Sequence, residues 1–266
     1  LKNFHKYVII FYLYNFEWRE GDFVITTLDD FIREFEKVKA LGWIKTHRSG
    51  PTGVGKTLED LLGIPENNLD QPDFGDYELK SCRIDSNSML TMFTRAPQPA
   101  RSNTYLRMKY GYSSGAYENE EKVLHSTLSA DRFTPIAGTG HKLKVSCDSD
   151  GIYIMSEEGK ENVYWSRDVL KKCFEKKYKN KFVYAKALSR GERSDEEFKF
   201  VEAYEVSGFD YEAFISLLES GKIYVDLRIG QYHDGKNKGK THDHGTGFRI
   251  KESAQPLLFK IKRRIG

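Results

Sequence analysis

Segments of helical period and segments of strand period alternate along all 266 residues, with no internal repeat and no composition break that would mark a linker. That mixture is the strongest constraint on the fold, since it confines the chain to one α/β or α+β body. Hydrophobic residues at 39% and charged residues at 30% provide a sizeable core under a solvated surface, which excludes disordered, collagen-like and disulfide-scaffold classes. The apolar run Tyr7–Tyr14 is far short of the roughly 20 residues that a membrane span needs. Asn15-Phe-Glu-Trp-Arg-Glu20 after it offers no small-residue cleavage site, so the run reads as a strand or a sticky extension. Three cysteines, Cys82, Cys147 and Cys173, without CxxC spacing suit a reducing cytoplasm and no cysteine-based zinc site.

Local signals place the elements. Thr27-Leu-Asp-Asp30 has capping-box spacing, Phe31, Phe35, Val38 and Leu41 follow at helical spacing, and Gly42 is the stop. Leu58–Leu62 predicts a short helix. Tyr77–Ser81 and Met89–Thr94 predict a β-hairpin about the turn Asp85–Ser88, and the basic stretch 95–122 reads as loop. Further strands are expected near 141–147, 151–156, 181–188 and 198–206, with helices after Ser166 and around 211–220. Ile223–Ile229 and Gly247–Ile250 are strands that flank a Gly/Lys loop.

Two motifs compete for the chemistry. Gly50-Pro-Thr-Gly-Val-Gly-Lys-Thr57 fits G-x-x-x-x-G-K-[ST], the loop that cradles nucleotide phosphates. A true P-loop follows a buried β-branched strand, whereas Ala40–Ser49 is mostly polar and broken by Gly42, so a plain loop before a helix is the competing reading. The second motif is Pro72-Asp-Phe-Gly-Asp-Tyr-Glu-Leu-Lys80. On a strand Glu78 and Lys80 share a face, and a Gly75-Asp76 turn would bring Asp73 alongside them. Two carboxylates at a strand edge can hold magnesium with waters, and a neighbouring lysine can orient a water for phosphodiester hydrolysis. A solvated hairpin would carry the same residue types.

The net charge of +3 is unevenly spread. From Arg228 to the end there are 10 Lys and Arg against 3 Asp and Glu, leaving 32 against 36 before it, so a mildly acidic body carries a basic tail suited to a polyanion. That tail holds Arg228–Arg249, dense in Lys, Arg, His and Gly. His242 and His244 would share a face in an extended chain. A zinc site is conceivable there, but a β-ribbon for a DNA groove fits better, with Arg forking onto guanine and Lys238 and Lys240 on phosphate.

Taken in order, Thr46–Leu62, Glu66–Asp70, Pro72–Lys80, Leu90–Thr94, Val225–Gly230 and Lys238–Ile250 resemble the MvaI/BcnI family of Type II restriction endonucleases, nearer its MvaI side and related to the MutH nicking endonuclease. The resemblance covers about residues 28–250 and leaves 1–27 as an N-terminal extension. It implies a PD-(D/E)xK restriction-endonuclease-like fold within the α/β class, bilobed over 28–266. The catalytic lobe would centre on 59–95 and the recognition lobe would include 223–250.

By resemblance Asp73 and Glu78 bind Mg2+, Lys80 serves the attacking water, and Glu59 is a further acidic active-site residue. Asp226, Arg228, His242, His244 and Arg249 match base-reading positions, and Asp with Arg and His suits a G·C-rich target. The family further implies double-stranded DNA as partner and a cytoplasmic monomer that cuts the strands in turn. The site would be of CCNGG type, CC(A/T)GG favoured, with a DNA methyltransferase as functional partner and neither membrane nor nucleotide cofactor. A MutH-like nicker, a DNA-binding module with a degraded site and a P-loop NTPase remain as alternatives. Arg95, Arg101, Arg107 and Lys109 are open candidates for phosphate contact.

Overall fold

Thr27 begins the first helix by accepting a hydrogen bond from the Asp30 amide, and Asp30 accepts one in return from the Thr27 amide. The helix that follows, α1 (Leu28–Ala40), buries Phe31, Phe35 and Val38 along one face. The structure, a computed structural model, describes residues 24–65, 72–84, 89–113, 122–178 and 181–266. The run 7–14 and the expected turn 85–88 lie outside those residues.

After α1 come β1 (Ile44–Lys45), α2 (Gly53–Leu61), β2 (Tyr77–Arg83), β3 (Leu90–Thr94), α3 (Ser102–Tyr110), β4 (Tyr112–Ser113) and β5 (Lys122–Leu128). The middle of the chain holds β6 (Thr134–Pro135), β7 (Lys142–Cys147), β8 (Gly151–Ser156), β9 (Gly159–Ser166) and α4 (Arg167–Tyr178). Then follow β10 (Lys181–Arg190), β11 (Glu197–Phe209), α5 (Tyr211–Glu219), β12 (Ile223–Gln231), β13 (Thr241–Asp243), β14 (Gly247–Ile250), α6 (Gln255–Leu258) and β15 (Phe259–Arg264).

Among the described residues the strands build three sheets. The first runs β1-β11-β10-β2 with β15 also on β11, and β2 is parallel to β10 at its edge. The second runs β3-β14-β12-β5-β4 with β13 added to β12. The third is the meander β6-β7-β8-β9. Alternation along β10 and β11 gives the first sheet two apolar faces. Val183, Ala185, Ala187, Phe198 and Phe200 pack with α1 and α2, while Phe182, Tyr184 and Val206 enter a larger core shared with the other sheets. The mixed α/β class and the presence of two cores agree with the expected class.

Several expectations need correction. Residues 77–83 and 90–94 are strands, but not a hairpin: β2 joins the first sheet and β3 pairs with β14 in the second. Sheet membership places β2 in the first sheet and β3 in the second, with β12 and β14. The stretch 95–122 is not all loop, because it contains α3 and β4. The basic segment from Arg228 onward is two structures. Four of its cations lie on β15, where Arg263 meets Glu205 at 2.7 Å and Arg264 meets Glu202 at 3.4 Å. Charged side chains on such an edge strand discourage pairing with another chain. Among the described residues no helix is long and apolar enough to cross a membrane.

Candidate functional site

The carboxylate motif sits where the sequence puts it. Phe74 and Tyr77 exchange backbone hydrogen bonds of 3.1 and 2.8 Å around Gly75-Asp76. Gly75 has φ +48°, and a Cβ there would stand 2.5 Å from the Thr26 carbonyl, so the turn requires glycine. The turn folds Asp73 back along β2, where its Oδ2 accepts from the Leu79 amide at 2.6 Å. Since β2 has β10 on one side only, this amide at the other edge is available to Asp73. Glu78 and Lys80 share a face and are paired at 2.6 Å. All three side chains are partly buried. Behind the strand α2 packs closely: a Cβ on Gly55 would lie 3.5 Å from Ser81 Oγ and 3.8 Å from Glu59 Oε1. Glu59 therefore lies on the face of α2 that carries Gly55 against this strand.

Among the described residues no three His, Cys, Asp or Glu side chains converge as a ready metal cage. The donor set nevertheless fits a hard divalent cation that keeps most of its waters and takes one or two carboxylates. Asp73 and Glu78 supply two such oxygen donors at one strand edge.

The glycine loop is built for a different purpose from nucleotide binding. The strand before it, β1, is two residues long and antiparallel to its neighbour β11. Lys56 turns onto Asp60 of its own helix at 2.6 Å, and His47 Nδ1 lies 3.0 Å from the same carboxylate. Burial opposes ionisation of Asp60, but these hydrogen bonds prevail and hold it below the ordinary carboxylate range. Thr57, the residue that would hold magnesium, is fully buried and its Oγ1 accepts from the His47 amide at 3.0 Å. Arg83 donates at 3.1 Å to the carbonyls of Gly50 and Pro51 while gripping Glu196, which anchors the loop to β2. The NTPase alternative fails on this geometry.

The second sheet carries the other set of predicted residues. Leu124, Leu128, Val225, Leu227, Ile229, Phe248 and Ile250 alternate inward to the core. The intervening positions make a polar outer face. On it Asp226 accepts from Thr127 Oγ1 at 2.7 Å and from Arg249 Nη1 at 2.9 Å. Arg228 donates to the Gly245 carbonyl at 2.9 Å, and the His244 amide donates to the Arg228 carbonyl at 3.0 Å. A groove of about 530 Å3 is lined by His125, Ser126, Thr127, Asp226, Leu227, Arg228 and His244. The His242 ring stacks on Tyr232 at 4.3 Å and lies 4.1 Å from His244. Gly230 makes room for this pair, since a Cβ there would come within 3.2 Å of His244 Nε2. Of the predicted readers, Asp226, Arg228, His244 and, through Asp226, Arg249 come together, with His242 beside them. Lys238 and Lys240 are exposed on the loop between β12 and β13.

The sequence reading missed β5, which contributes His125 and Thr127. The signal was present in Val-Leu-His-Ser-Thr-Leu128, whose polar His and Thr are two apart between core leucines. It also missed the buttress. Arg107, proposed above for phosphate, is 5% exposed and donates to Thr241 Oγ1, the Lys122 carbonyl and Gln231 Oε1, tying α3 to β13, β5 and β12. Asn103 adds a 2.6 Å bond to Asp243. Lys109 is engaged by Glu161, whose carboxylate also accepts from Tyr105, Tyr110 and Ser156. Burial would raise the Glu161 pKa, yet those donors hold it down at about 2. Two of the four suggested phosphate contacts are thus structural; Arg95 and Arg101 stay exposed.

Partial desolvation in the groove, with His242, His125 and Arg228 nearby, pushes the His244 imidazole below its ordinary 6.5. The lowered value means that the folded chain resists protonation there. The contribution of His244 to stability is therefore complete above 6.5 and is lost as the pH falls below it. We expect NMR titration of the free protein to place the His244 midpoint below 6.5; a midpoint at or above that value would contradict the packing described.

The chain as a whole is similar to known proteins. A family model described as the MvaI/BcnI restriction endonuclease family matches residues 32–259. A solved structure, a restriction endonuclease MvaI–cognate DNA substrate complex, is similar at 36% identity and a TM-score of 0.79, covering 90% of this chain and 98% of that one. Restriction endonuclease MvaI in the absence of DNA is similar at 33% identity and 0.55, with 94% and 100% covered. No curated protein sequence matches the chain.

Proposed function

Because the chain belongs to the MvaI/BcnI restriction endonuclease family, we propose that it is a Type II enzyme hydrolysing phosphodiester bonds of double-stranded DNA at a short pseudopalindromic site of CCNGG type, CC(A/T)GG favoured. Its activity is that of a site-specific deoxyribonuclease. The observation that carries the chemical reading is the edge of β2, where Asp73 is turned back onto the Leu79 amide beside the Glu78–Lys80 pair. The similarity to an MvaI–cognate DNA substrate complex supports the duplex as ligand.

In this mechanism Asp73 and Glu78 would hold a divalent cation, Mg2+ by preference for two hard carboxylates and waters, and such a cation would supply charge neutralisation at the scissile phosphate. Lys80, released from Glu78, orients the attacking water and eases loss of its proton. Glu59 adds a third carboxylate from α2. Asp226, Arg228, His242, His244 and Arg249 read base edges, and Lys238 and Lys240 meet the backbone. The protein works as a cytoplasmic monomer that cuts one strand and then the other, alongside a methyltransferase that protects the host site.

Plasmid incubated with the protein and magnesium is expected to give a discrete fragment ladder, with none in EDTA. Open circles alone would favour the MutH-like nicker, and intact supercoiled plasmid with folded protein would defeat both. Sequencing the fragment ends gives the target and the cut position together.

A further inference from the structure

The outer face of the second sheet is organised in rows. Antiparallel pairing sets Thr127 opposite Asp226, and Arg249 joins that carboxylate from β14. Two residues along β12, the same register sets His125 opposite Arg228, and His244 joins through its amide on the Arg228 carbonyl. Rows two residues apart are separated by about 7 Å, or about two base-pair steps of 3.4 Å. The first row has its own acceptor, since Asp226 takes hydrogen bonds from both Thr127 and Arg249. The second contains two imidazoles and a guanidinium and no carboxylate.

That imbalance has a chemical meaning. Among the described residues Asp226 is the only carboxylate lining the groove, and it is already engaged. The row His125–Arg228–His244 is donor-rich, and its complement is a base edge with two acceptors. In the major groove guanine presents O6 and N7 together, whereas adenine pairs its N7 with a donor. His125 is exposed, stands cross-strand from Arg228 and borders the same groove as His244. We propose that His125 is a specificity-determining residue that donates a hydrogen bond to a guanine edge in the row shared with Arg228 and His244. This rests on the reading of the face as a DNA surface.

The test uses the full chain and the target defined by fragment-end sequencing. Cleavage is measured on duplexes in which each guanine of the site is replaced in turn by 7-deazaguanine, which lacks N7, or by adenine. We expect His125→Ala to lower kcat/KM at the cognate site about tenfold. It should also flatten the response to substitution at one guanine, with the other positions still discriminated as in the wild type. His125→Asn, which keeps a donor, should recover part of that discrimination. Thermal melts of both variants control for folding. An unchanged discrimination profile in His125→Ala, or an equal loss at every sequence, overturns the proposal while leaving the nuclease reading intact. A wild-type chain that cuts no DNA overturns both.

Discussion

Replacing Lys80 by alanine is expected to slow DNA cleavage by roughly 10²- to 10⁴-fold, the range for loss of a group that assists proton transfer, while cognate duplex is still bound in calcium. The expectation follows from position. Lys80 Nζ lies 2.6 Å from Glu78 Oε1 on the same face of an edge strand, so a water near Glu78 is within reach of the ammonium group. Affinity for the duplex comes mostly from phosphate and base contacts elsewhere, so binding and cutting should separate. Gel-shift titration in calcium and single-turnover cleavage in magnesium measure the two. If cleavage by the Lys80→Ala protein stays within a few-fold of wild type, β2 is not the reactive edge.

The second large effect belongs to Asp226. Its side chain is 9% exposed and accepts from Thr127 and Arg249, with Arg228 at 3.8 Å. Asp226→Ala leaves the Arg249 guanidinium without its carboxylate. Arg249 keeps the Met89 carbonyl at 3.3 Å, and its Nε has no acceptor among the described residues. Breaking a largely buried pair from one side costs about 3 kcal/mol. That corresponds to a fall in melting temperature of roughly 6–12 °C for a chain of this size. Cleavage at the cognate site should drop by about 100-fold or more, with discrimination lost at one base pair. Asp226→Asn retains an acceptor for Thr127 and separates the two effects: stability recovers in part and discrimination does not. Wild-type selectivity in both variants would remove Asp226 from the readout.

What could be read from the sequence divides along a physical line. Elements fixed by short-range rules were legible. The Thr27–Asp30 capping box, the Gly75-Asp76 turn that returns Asp73 to Leu79, and the alternation in Ile223–Ile229 each contain their own instructions. Pairing partners were not. β3 follows β2 after a short connection and looks like its hairpin mate, yet its partner β14 lies more than 150 residues away.

The helix α3 was hidden for a different reason. Its N-cap is Arg101 at φ +70°, with no side-chain hydrogen bond, and its buried stripe includes Arg107, so neither the cap nor the apolar period announces it. The glycine loop misled in the opposite sense. Its letters fit a phosphate cradle, but the residues around them bury Thr57 and turn Lys56 to Asp60. As for the site, the proposed reactive edge is one contiguous motif, whereas the proposed reading surface is assembled from β5, β12, β13 and β14. A local scan finds the last three together and overlooks His125 and Thr127 on the first.

The separation of inward leucines and valines from outward polar residues on β5 and β12 gives the reading surface an unusual freedom to change. Exposed outward positions such as His125 can be exchanged without disturbing the leucines and valines beneath them, whereas Asp226, largely buried and paired with Arg249, is tied to the fold. Descendants of such a chain could drift from one DNA target to another by single substitutions, each tested on an intact enzyme. If this face reads DNA as proposed, the arrangement that makes the protein selective is also the one that lets its selectivity be rewritten.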